Sequence, residues 1–299
     1  SQLEGLANRI LFHQESNIHW FDINVHKLRF PQFFFLSKFW LNQSPPDLII
    51  GAGHRTHLSV LIAGFKLKAF TTLIMKPSLP HHFFDAVICP KHDQLKDSKK
   101  LLSTTGTINK IIPPSIYTDY PSRHKHIMLI GGPSKHFVFD ETSLIRDIKT
   151  ICQQEPDKIW DLSNSPRTPA TFMVNLQKLC LTNLRLHRYS DNSFADLNSL
   201  LQQSYFTWVT PDSMSMLYES LSSGSRTAVF DMPFSKKKKP SRIAKQIQQL
   251  INEGTVLSFK TWKNQHPRSN AINLAPNPIL WEADRAALWL LERLREGTK

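Results

Sequence analysis

The sequence is poor in the residues that mark disulfide-rich proteins, metal centres and membrane spans. Its 299 residues include three cysteines, Cys89, Cys152 and Cys180, whose spacing matches no common metal site. Such a sparse, odd number is typical of reduced thiols in a cytosolic protein. No apolar run approaches the ~20 residues that span a bilayer, and the opening residues lack the basic start and apolar core of a signal peptide. These absences favour a cytoplasmic protein with no metal site.

Several familiar catalytic signatures are also missing. No G-x-S-x-G segment is present, which argues against a Ser-His-Asp hydrolase. The segment GAGHRT has Thr56 where the dinucleotide-binding fingerprint needs its third glycine, and LIGGPSKHF lacks the GK[ST] ending of a phosphate-binding Walker loop. The sequence contains no helix-turn-helix, zinc finger or other nucleic-acid signature, so nucleic acid is not an expected partner.

Basic residues are in excess over acidic ones. The chain has 37 Lys and Arg against 24 Asp and Glu, which gives a formal net charge of +13. An excess of this size favours an anionic partner, such as a phosphorylated substrate or an acidic membrane surface. The run Lys236–Lys239 is either a contact with lipid headgroups or a solvated loop. A peripheral position on the inner face of a membrane is therefore the alternative to a free cytoplasmic one.

Apolar β-rich runs alternate with helical patterns along the chain. Several runs, such as LII and VIC, are continuously apolar, which is the pattern of parallel strands buried on both faces. The repeated order of strand and helix predicts doubly wound α/β sheets. The predicted strands are His19–Val25, Asp47–Gly51, Phe70–Ile74, Ala86–Cys89, His126–Gly131, Lys158–Leu162, Tyr205–Thr210 and Arg226–Asp231.

A proline-rich segment at 111–124 divides the chain. Its three prolines and several polar residues make a poor helix or strand and a good linker. We therefore expect two Rossmann-like α/β domains facing a cleft, with 1–118 as the N-terminal domain and 119–299 as the C-terminal one.

For three helices of the C-terminal half, the sequence predicts either where the helix begins or ends or which of its faces is apolar. Asp140 and Ser241 are predicted to cap two of them, and Gly254 to end the second. The last segment, 281–297, has the pattern of an amphipathic helix that packs at the domain junction or lies on a membrane surface. Its predicted inward residues are Trp281, Ala287, Leu288, Leu291 and Leu294.

Polar residues follow the predicted strands at the edge where open α/β sheets bind ligands. In GAGHR the glycines allow close backbone approach, His54 can transfer a proton and Arg55 can pair with an anion. Asp93 follows the strand AVIC. We take these three side chains as the catalytic candidates.

Two further loops of the C-terminal half have the residues of an anion site. Gly131 and Gly132 close a strand, and their amides, with Ser134 and Lys135 beyond them, suit a diphosphate. Arg167, in the stiff loop LSNSPRTP, is a candidate clamp for a pyrophosphate or an acceptor.

The segment VTPDSMSMLYESLSSGSRTAVFDM carries the most information. Asp212 is predicted to cap a helix, and Ser213 and Ser215 to place hydroxyls and amides at its start, a preformed anion site. Glu219 lies two turns along that helix. Its carboxylate is either a solvated surface group or an acceptor for two ribose hydroxyls.

The motifs together resemble a known family. GAGHR, FDAVICPKHDQL, GTINKI, LIGGPSKHF, SNSPRTP and VTPDSMSMLYESL occur in the order and style of the ELM-type mitochondrial-fission family. The resemblance extends from the first residue to about residue 232. That family is similar to the GT-B glycosyltransferases. One block departs from the family pattern, because SPRTP has Pro166 where the family has a second arginine.

The resemblance implies a function for the C-terminal half. The loop Asp212–Ser215 is similar to the donor loop of the transferase that adds N-acetylglucosamine to lipid-linked muramyl peptide, which implies that Glu219 binds a nucleotide ribose. The implied activity is sugar transfer from a nucleoside diphosphate, most naturally a uridine one, to an acceptor in or near a membrane. Such enzymes need no metal or other cofactor, because helix dipoles and cations stabilise the leaving diphosphate. His54, Arg55 and Asp93 would then face the acceptor.

Two other functions fit the same residues. One is a non-catalytic protein that binds a partner or a membrane, and the other is a nucleotide-sugar epimerase of GT-B fold. The family pattern also has a strand and a glycine-containing loop before the segment matching SQLEGLANRI. We therefore expect this chain to be an N-terminally shortened form, with a vacant strand position between His19–Val25 and Asp47–Ile50.

Overall fold

The computed structural model describes residues 2–18, 45–93, 95, 98–113, 123–191, 197–235, 241–265 and 280–297. The predicted strand at 19–25, and with it the expected vacant strand position, lies outside these residues, as does the lysine run at 236–239. The chain divides into two compact units, Ser1–Lys110 with Trp281–Lys299, and Ile111–Leu280. The boundary after Lys110 lies eight residues before the predicted domain boundary after residue 118, at the start of the proline-rich segment.

In the part of the first unit that the structure describes, four parallel strands form a sheet in the order β1-β2-β3-β4. They are β1 (Leu48–Ala52), β2 (Phe70–Ile74), β3 (Ala86–Pro90) and β4 (Leu101–Thr104). Helix α1 (Gln2–His13) precedes the sheet, α2 (His57–Leu67) connects its first two strands, and the terminal helix α9 (Glu282–Gly297) completes the unit. The sequence predicted β1 to β3 and missed β4.

Helices cover both faces of this sheet. Ile74 and Ile88 pack with buried side chains of α1 and α9, whereas Leu73 and Val87 face Val60 of α2. Neighbouring residues of one strand point to opposite faces, so strands covered on both sides are mainly apolar on both faces. This explains the continuous apolar runs in the sequence.

The terminal helix lies in the first unit, although the sequence placed it in the second domain. Its inner face packs against α1, and Asp284 accepts a hydrogen bond from the Arg9 guanidinium at 2.6 Å and lies 2.6 Å from His13 Nε2. The prediction that Leu288 faces inward was wrong, because that side chain is 49% exposed. Periodicity locates an apolar stripe, but it cannot identify the partner that covers it. The stripe consists of Ala283, Ala286, Ala287, Leu290 and Leu291.

Among its described residues, the second unit contains a six-stranded parallel sheet in the order β10-β9-β8-β5-β6-β7. Of these strands, the sequence predicted β5, β6, β8 and β9. The strands are β5 (Lys125–Ile130), β6 (Trp160–Asn164), β7 (Leu184–His187), β8 (Ser204–Val209), β9 (Arg226–Val229) and β10 (Leu257–Ser258).

Helices connect these strands and cover both faces. They are α3 (Glu141–Gln154), α4 (Ala170–Gln177), α5 (Leu197–Gln202), α6 (Met214–Ser222), α7 (Arg242–Asn252) and α8 (Phe259–Gln265). Along β5, Met128 and Ile130 enter a core that includes Trp160, Trp208 and Trp262, while Ile127 and Leu129 enter the opposite core beside α6 and α7. Two of the predicted caps are confirmed, because Asp140 accepts hydrogen bonds from the first turn of α3 and Ser241 from that of α7.

Membrane spans are absent from what the structure describes. Within the ranges given above, no helix combines the length and the apolar character needed to cross a bilayer.

The packing of α9 can be tested with two leucines of the same helix. Leu290 is fully buried between α9 and the sheet, whereas Leu288 is 49% exposed. We expect Leu290→Ala to lower the free energy of unfolding by about 2–5 kcal/mol, because it leaves a cavity in the core. Leu288→Ala should change it by less than about 0.5 kcal/mol. Urea denaturation of both variants measures the difference, and equal losses would contradict the assignment of α9 to this core.

Candidate functional site

The order of strands in the second unit creates a crevice at one edge of the sheet. From β5 the chain moves outward to β6 and β7, then returns to the other side of β5 to form β8, β9 and β10. The connections that leave the carboxyl ends of β5 and β8 therefore diverge. Such a topological switch point is where open parallel sheets bind their ligands. The loops that follow β5, β6 and β8 meet there and carry the predicted donor-site residues.

The glycine turn after β5 packs against the other two loops. The Gly131 amide donates to Thr210 Oγ1 at 2.7 Å, and the Gly132 amide donates to Asp212 Oδ2 at 3.0 Å. A Cβ atom on Gly131 would overlap the Asp212 carboxylate, and one on Gly132 would overlap the Arg167 backbone. These glycines are therefore needed for close packing. The expectation that their two amides are available to a diphosphate was wrong, because both amides already donate to side chains.

The loop after β6 is held by its own hydroxyl groups. The Ser165 amide donates to Thr168 Oγ1 at 2.9 Å, and the Arg167 amide donates to Ser165 Oγ at 3.2 Å. The Thr168 hydroxyl in turn donates to the carbonyl oxygens of Ile130 and Gly131. This bonding fixes the backbone of Arg167 against the glycine turn.

Arg167 and Asp212 form an ion pair across the crevice. Arg167 Nη2 donates to Asp212 Oδ2 at 2.8 Å, and Nη1 donates to the Pro133 carbonyl at 3.3 Å. The Asp212 side chain is completely buried, whereas that of Arg167 is 45% exposed. The prediction that Asp212 caps the following helix was wrong, because its carboxylate is directed to Gly132 and Arg167 instead. Ser213 occupies the N-cap position.

Helix α6 presents an uncapped N-terminus beside this ion pair. The Ser213 side chain accepts no hydrogen bond from the first turn, unlike the caps of α3 and α7. Ser215 is exposed in that turn. Two buried leucines, Leu217 and Leu221, hold the helix to the sheet, and Ser220 shares a hydrogen bond of 2.8 Å with Thr227 of β9. Glu219 lies half-buried on the same helix.

The remaining donor candidates lie beyond the glycine turn. Ser134 Oγ accepts hydrogen bonds from the amides of His136 and Phe137, at 3.2 and 3.1 Å, so this hydroxyl stabilises the turn. Lys135 is exposed. Neither side chain joins the Arg167–Asp212 pair.

The three catalytic candidates follow two strands of the first unit that β2 separates. His54 and Arg55 begin the single turn of 3-10 helix after β1, where Arg55 is exposed. Asp93 follows β3 and accepts a weak hydrogen bond from Cys89 Sγ at 3.4 Å. Burial, reinforced by the nearby Asp93 charge, raises the pKa of the Cys89 thiol to about 12. Cys89 is therefore a neutral, structural thiol.

Sequence reasoning missed two residues at the strand ends. Thr210, which receives the Gly131 amide, was taken only as the last residue of a strand. Lys76 follows β2, is exposed, and donates to the Asp93 carbonyl at 3.4 Å. Its position after a predicted strand was the signal that could have identified it. Among the residues with described side chains, no three His, Cys, Asp or Glu converge as a metal ion would require.

Substitutions at the glycine turn test its close packing. We expect Gly132→Ala to lower the free energy of unfolding by about 1–3 kcal/mol, because the added methyl group meets backbone that cannot move freely. Gly131→Ala should have a similar effect, because its methyl group meets the buried Asp212 carboxylate. In an Asp212→Ala background the cost of Gly131→Ala should largely disappear, whereas that of Gly132→Ala should remain. Thermal or urea denaturation of the single and double variants measures these costs. An undiminished cost for Gly131→Ala would contradict the packing.

Solved structures share this arrangement of parallel α/β units. The UDP-GlcNAc 2-epimerase of Methanocaldococcus jannaschii matches with a TM-score of 0.58 and 12% identity, covering 97% of this chain and 88% of that one. MurG of Acinetobacter baumannii matches with a TM-score of 0.51 and 13% identity, covering 97% and 87%. The UDP-GlcNAc 2-epimerase of Neisseria meningitidis, bound to UDP-GlcNAc, matches with a TM-score of 0.55 and 12% identity, covering 99% and 90%. These likenesses confirm the predicted GT-B-like α/β fold class.

Sequence comparison identifies a relative and a family, whereas the solved structures show a shared fold. An uncharacterised protein of Rickettsia prowazekii (strain Madrid E) is 25% identical over an alignment of 246 residues, and the match covers 64% of this chain and 67% of that protein. The family model described as mitochondrial fission ELM1 matches residues 1–294, nearly the whole sequence. The resemblance carried by the six sequence blocks is therefore confirmed, and the chain belongs to the mitochondrial fission ELM1 family.

Proposed function

We propose that this protein binds a nucleoside-diphosphate sugar at the switch point of its second unit and transfers the sugar as a GT-B-type glycosyltransferase. The observation that carries the proposal is the half-exposed guanidinium of Arg167, which is fixed beside the uncapped start of α6. An arginine and a helix N-terminus together form a site for an anion, and arginine binds phosphate groups through paired hydrogen bonds.

Proteins of the same fold support a uridine nucleotide as the ligand. The Neisseria epimerase was solved with UDP-GlcNAc, and a Staphylococcus aureus protein, MnaA, with UDP. The charge and geometry of the crevice support the diphosphate part of the proposal, and these neighbours support its uridine part.

The proposed roles follow the positions of the side chains. Arg167, with the start of α6 at Ser213 and Ser215, holds the diphosphate, and Glu219 accepts hydrogen bonds from the ribose hydroxyls. Lys135 adds positive charge at the rim of the glycine turn. In the first unit, His54, Arg55 and Asp93 are the candidates for binding and deprotonating an acceptor.

The chemistry of this site is electrostatic. Sugar transfer releases a nucleoside diphosphate, and the charge that develops on its leaving oxygen needs stabilisation in the transition state. Preorganised donors, here the Arg167 guanidinium and the amides at the start of α6, supply it without rearrangement at the moment of reaction.

Nucleotide binding provides the first test. We expect calorimetry to detect uridine diphosphate binding to the wild-type protein, and Glu219→Ala to weaken it by about 1.5–3 kcal/mol, the usual range for a hydrogen bond to a charged group. Glu253→Ala, which removes an exposed carboxylate at the far end of α7, is the matched control and should bind as the wild type does. No heat with any nucleoside diphosphate would refute the proposed function.

Product analysis then separates transfer from the alternatives. Incubation with a nucleotide sugar should release nucleoside diphosphate only when an acceptor is added. An epimerised sugar or a glycal without an acceptor would instead indicate an epimerase, which is the activity named for two proteins of the same fold. Binding without turnover under either condition would indicate a non-catalytic protein.

A further inference from the structure

We propose that Asp212 acts as a positioning residue: it orients Arg167 towards the ligand diphosphate and keeps anions out of the glycine turn. The inference rests on the proposed function, since it concerns the same crevice. It assigns Asp212 a role different from the other donor-site residues, because the carboxylate acts through Arg167 and does not touch the nucleotide.

The burial of Asp212 is the first support. Its side chain has no exposed surface, and Oδ1 accepts no hydrogen bond from any described residue. Oδ2 accepts hydrogen bonds from the Gly132 amide and from Arg167 Nη2, at 3.0 and 2.8 Å. A carboxylate enclosed in this way cannot reach a ligand, and its negative charge would repel a phosphate brought close to it.

The geometry of Arg167 is the second support. Nη1 donates to the Pro133 carbonyl and Nη2 to Asp212, so two different loops fix the plane of the guanidinium. An arginine has five N–H donors in a rigid fork. The N–H groups not used in these two hydrogen bonds belong to a side chain that is 45% exposed. Without Asp212, the same side chain would lose one of its two anchors and sample several rotamers before it met a ligand.

The glycine turn supplies the third support. Both of its amides donate to side chains, Gly131 to Thr210 and Gly132 to Asp212. An anion at this turn would have to displace a buried carboxylate and then lie beside it. The structure therefore favours an anion bound by Arg167 and the first turn of α6, near Ser213 and Ser215.

Calorimetric titration with uridine diphosphate tests the inference in a double-mutant cycle. We expect Arg167→Ala to raise the Kd at least tenfold, and Asp212→Ala to raise it several-fold. The double variant should bind no more weakly than Arg167→Ala alone, because Asp212 acts only through Arg167. Asp212→Asn should recover part of the affinity, since its amide oxygen still accepts hydrogen bonds from Arg167 and Gly132.

Matched controls and melting curves separate positioning from loss of fold. Arg185→Ala and Asp157→Ala remove exposed charges of the same unit away from the crevice and should leave the Kd unchanged. Thermal melts show whether each variant is folded, and Asp212→Asn keeps the cycle usable if Asp212→Ala does not fold.

Three results would overturn the inference while leaving the proposed function intact. They are tighter binding of uridine diphosphate by Asp212→Ala, additive effects in the double variant, and an unchanged Kd in a folded Asp212→Asn or Asp212→Ala variant. The first would mean that the carboxylate competes with the ligand for Arg167, the second that Asp212 contributes independently, and the third that its role is only structural. If the wild-type protein binds no nucleoside diphosphate, the proposed function fails and this inference fails with it.

Discussion

The enclosed carboxylate of Asp212 is the interaction on which the carboxyl edge of the second sheet depends. Removing a carboxylate from water costs several kcal/mol unless hydrogen bonds and an opposite charge compensate. Here the compensation comes from two different loops, through the Gly132 amide and the Arg167 guanidinium. Neither loop can move away without leaving the charge uncompensated. The three loops therefore hold one another in place, and the absence of side chains at the glycine turn is what lets them approach so closely.

Helix α6, which begins beside this carboxylate, is also held by buried hydrogen bonds farther along its length. Ser220 and Thr227 share a hydrogen bond between α6 and β9, and the buried Arg123 donates to the carbonyl oxygens of Ser204 and Ser223. Buried polar groups with complete hydrogen bonding specify one arrangement, because any other would leave some of them unpaired. The start of α6 and the guanidinium of Arg167 are thus held before any ligand arrives. Such preorganisation is what the proposed stabilisation of a leaving diphosphate requires.

Local patterns predicted the elements well and their contacts poorly. Apolar β-rich runs, some of them continuously apolar, identified β1, β2, β3, β5, β6, β8 and β9, because strands buried on both faces leave a strong signal. The missed strands gave weaker signals. In β4 the residues LLST follow a polar stretch, β7 is the edge strand LRLH with an exposed arginine, and β10 has only two residues. Asp140 and Ser241 were predicted correctly as caps because capping is decided within one turn.

The candidate site shows the same contrast between elements that the sequence predicts and contacts that it does not. Topology alone predicts that loops after parallel strands meet, so Gly131, Arg167 and Asp212 could be assigned to one region from the sequence. Their pairing could not be predicted, since Asp212 has the sequence context of a cap and its actual partners lie 45 and 80 residues away. Tertiary packing decides whether an aspartate carboxylate bonds to a nearby helix or to a distant arginine. A local sequence pattern contains no information about that packing.

The division of the chain into units has a consequence for its synthesis. The second unit is continuous, whereas the core of the first needs Leu290 and Leu291, which are separated by the whole second unit from α1 and the strands they cover. Domains tend to fold as units while the ribosome is still extending the chain. The second unit can therefore be complete while the first still exposes the apolar face of its sheet, awaiting α9. Chaperones that shield nascent chains would encounter that face until α9, which is translated after the second unit, covers it.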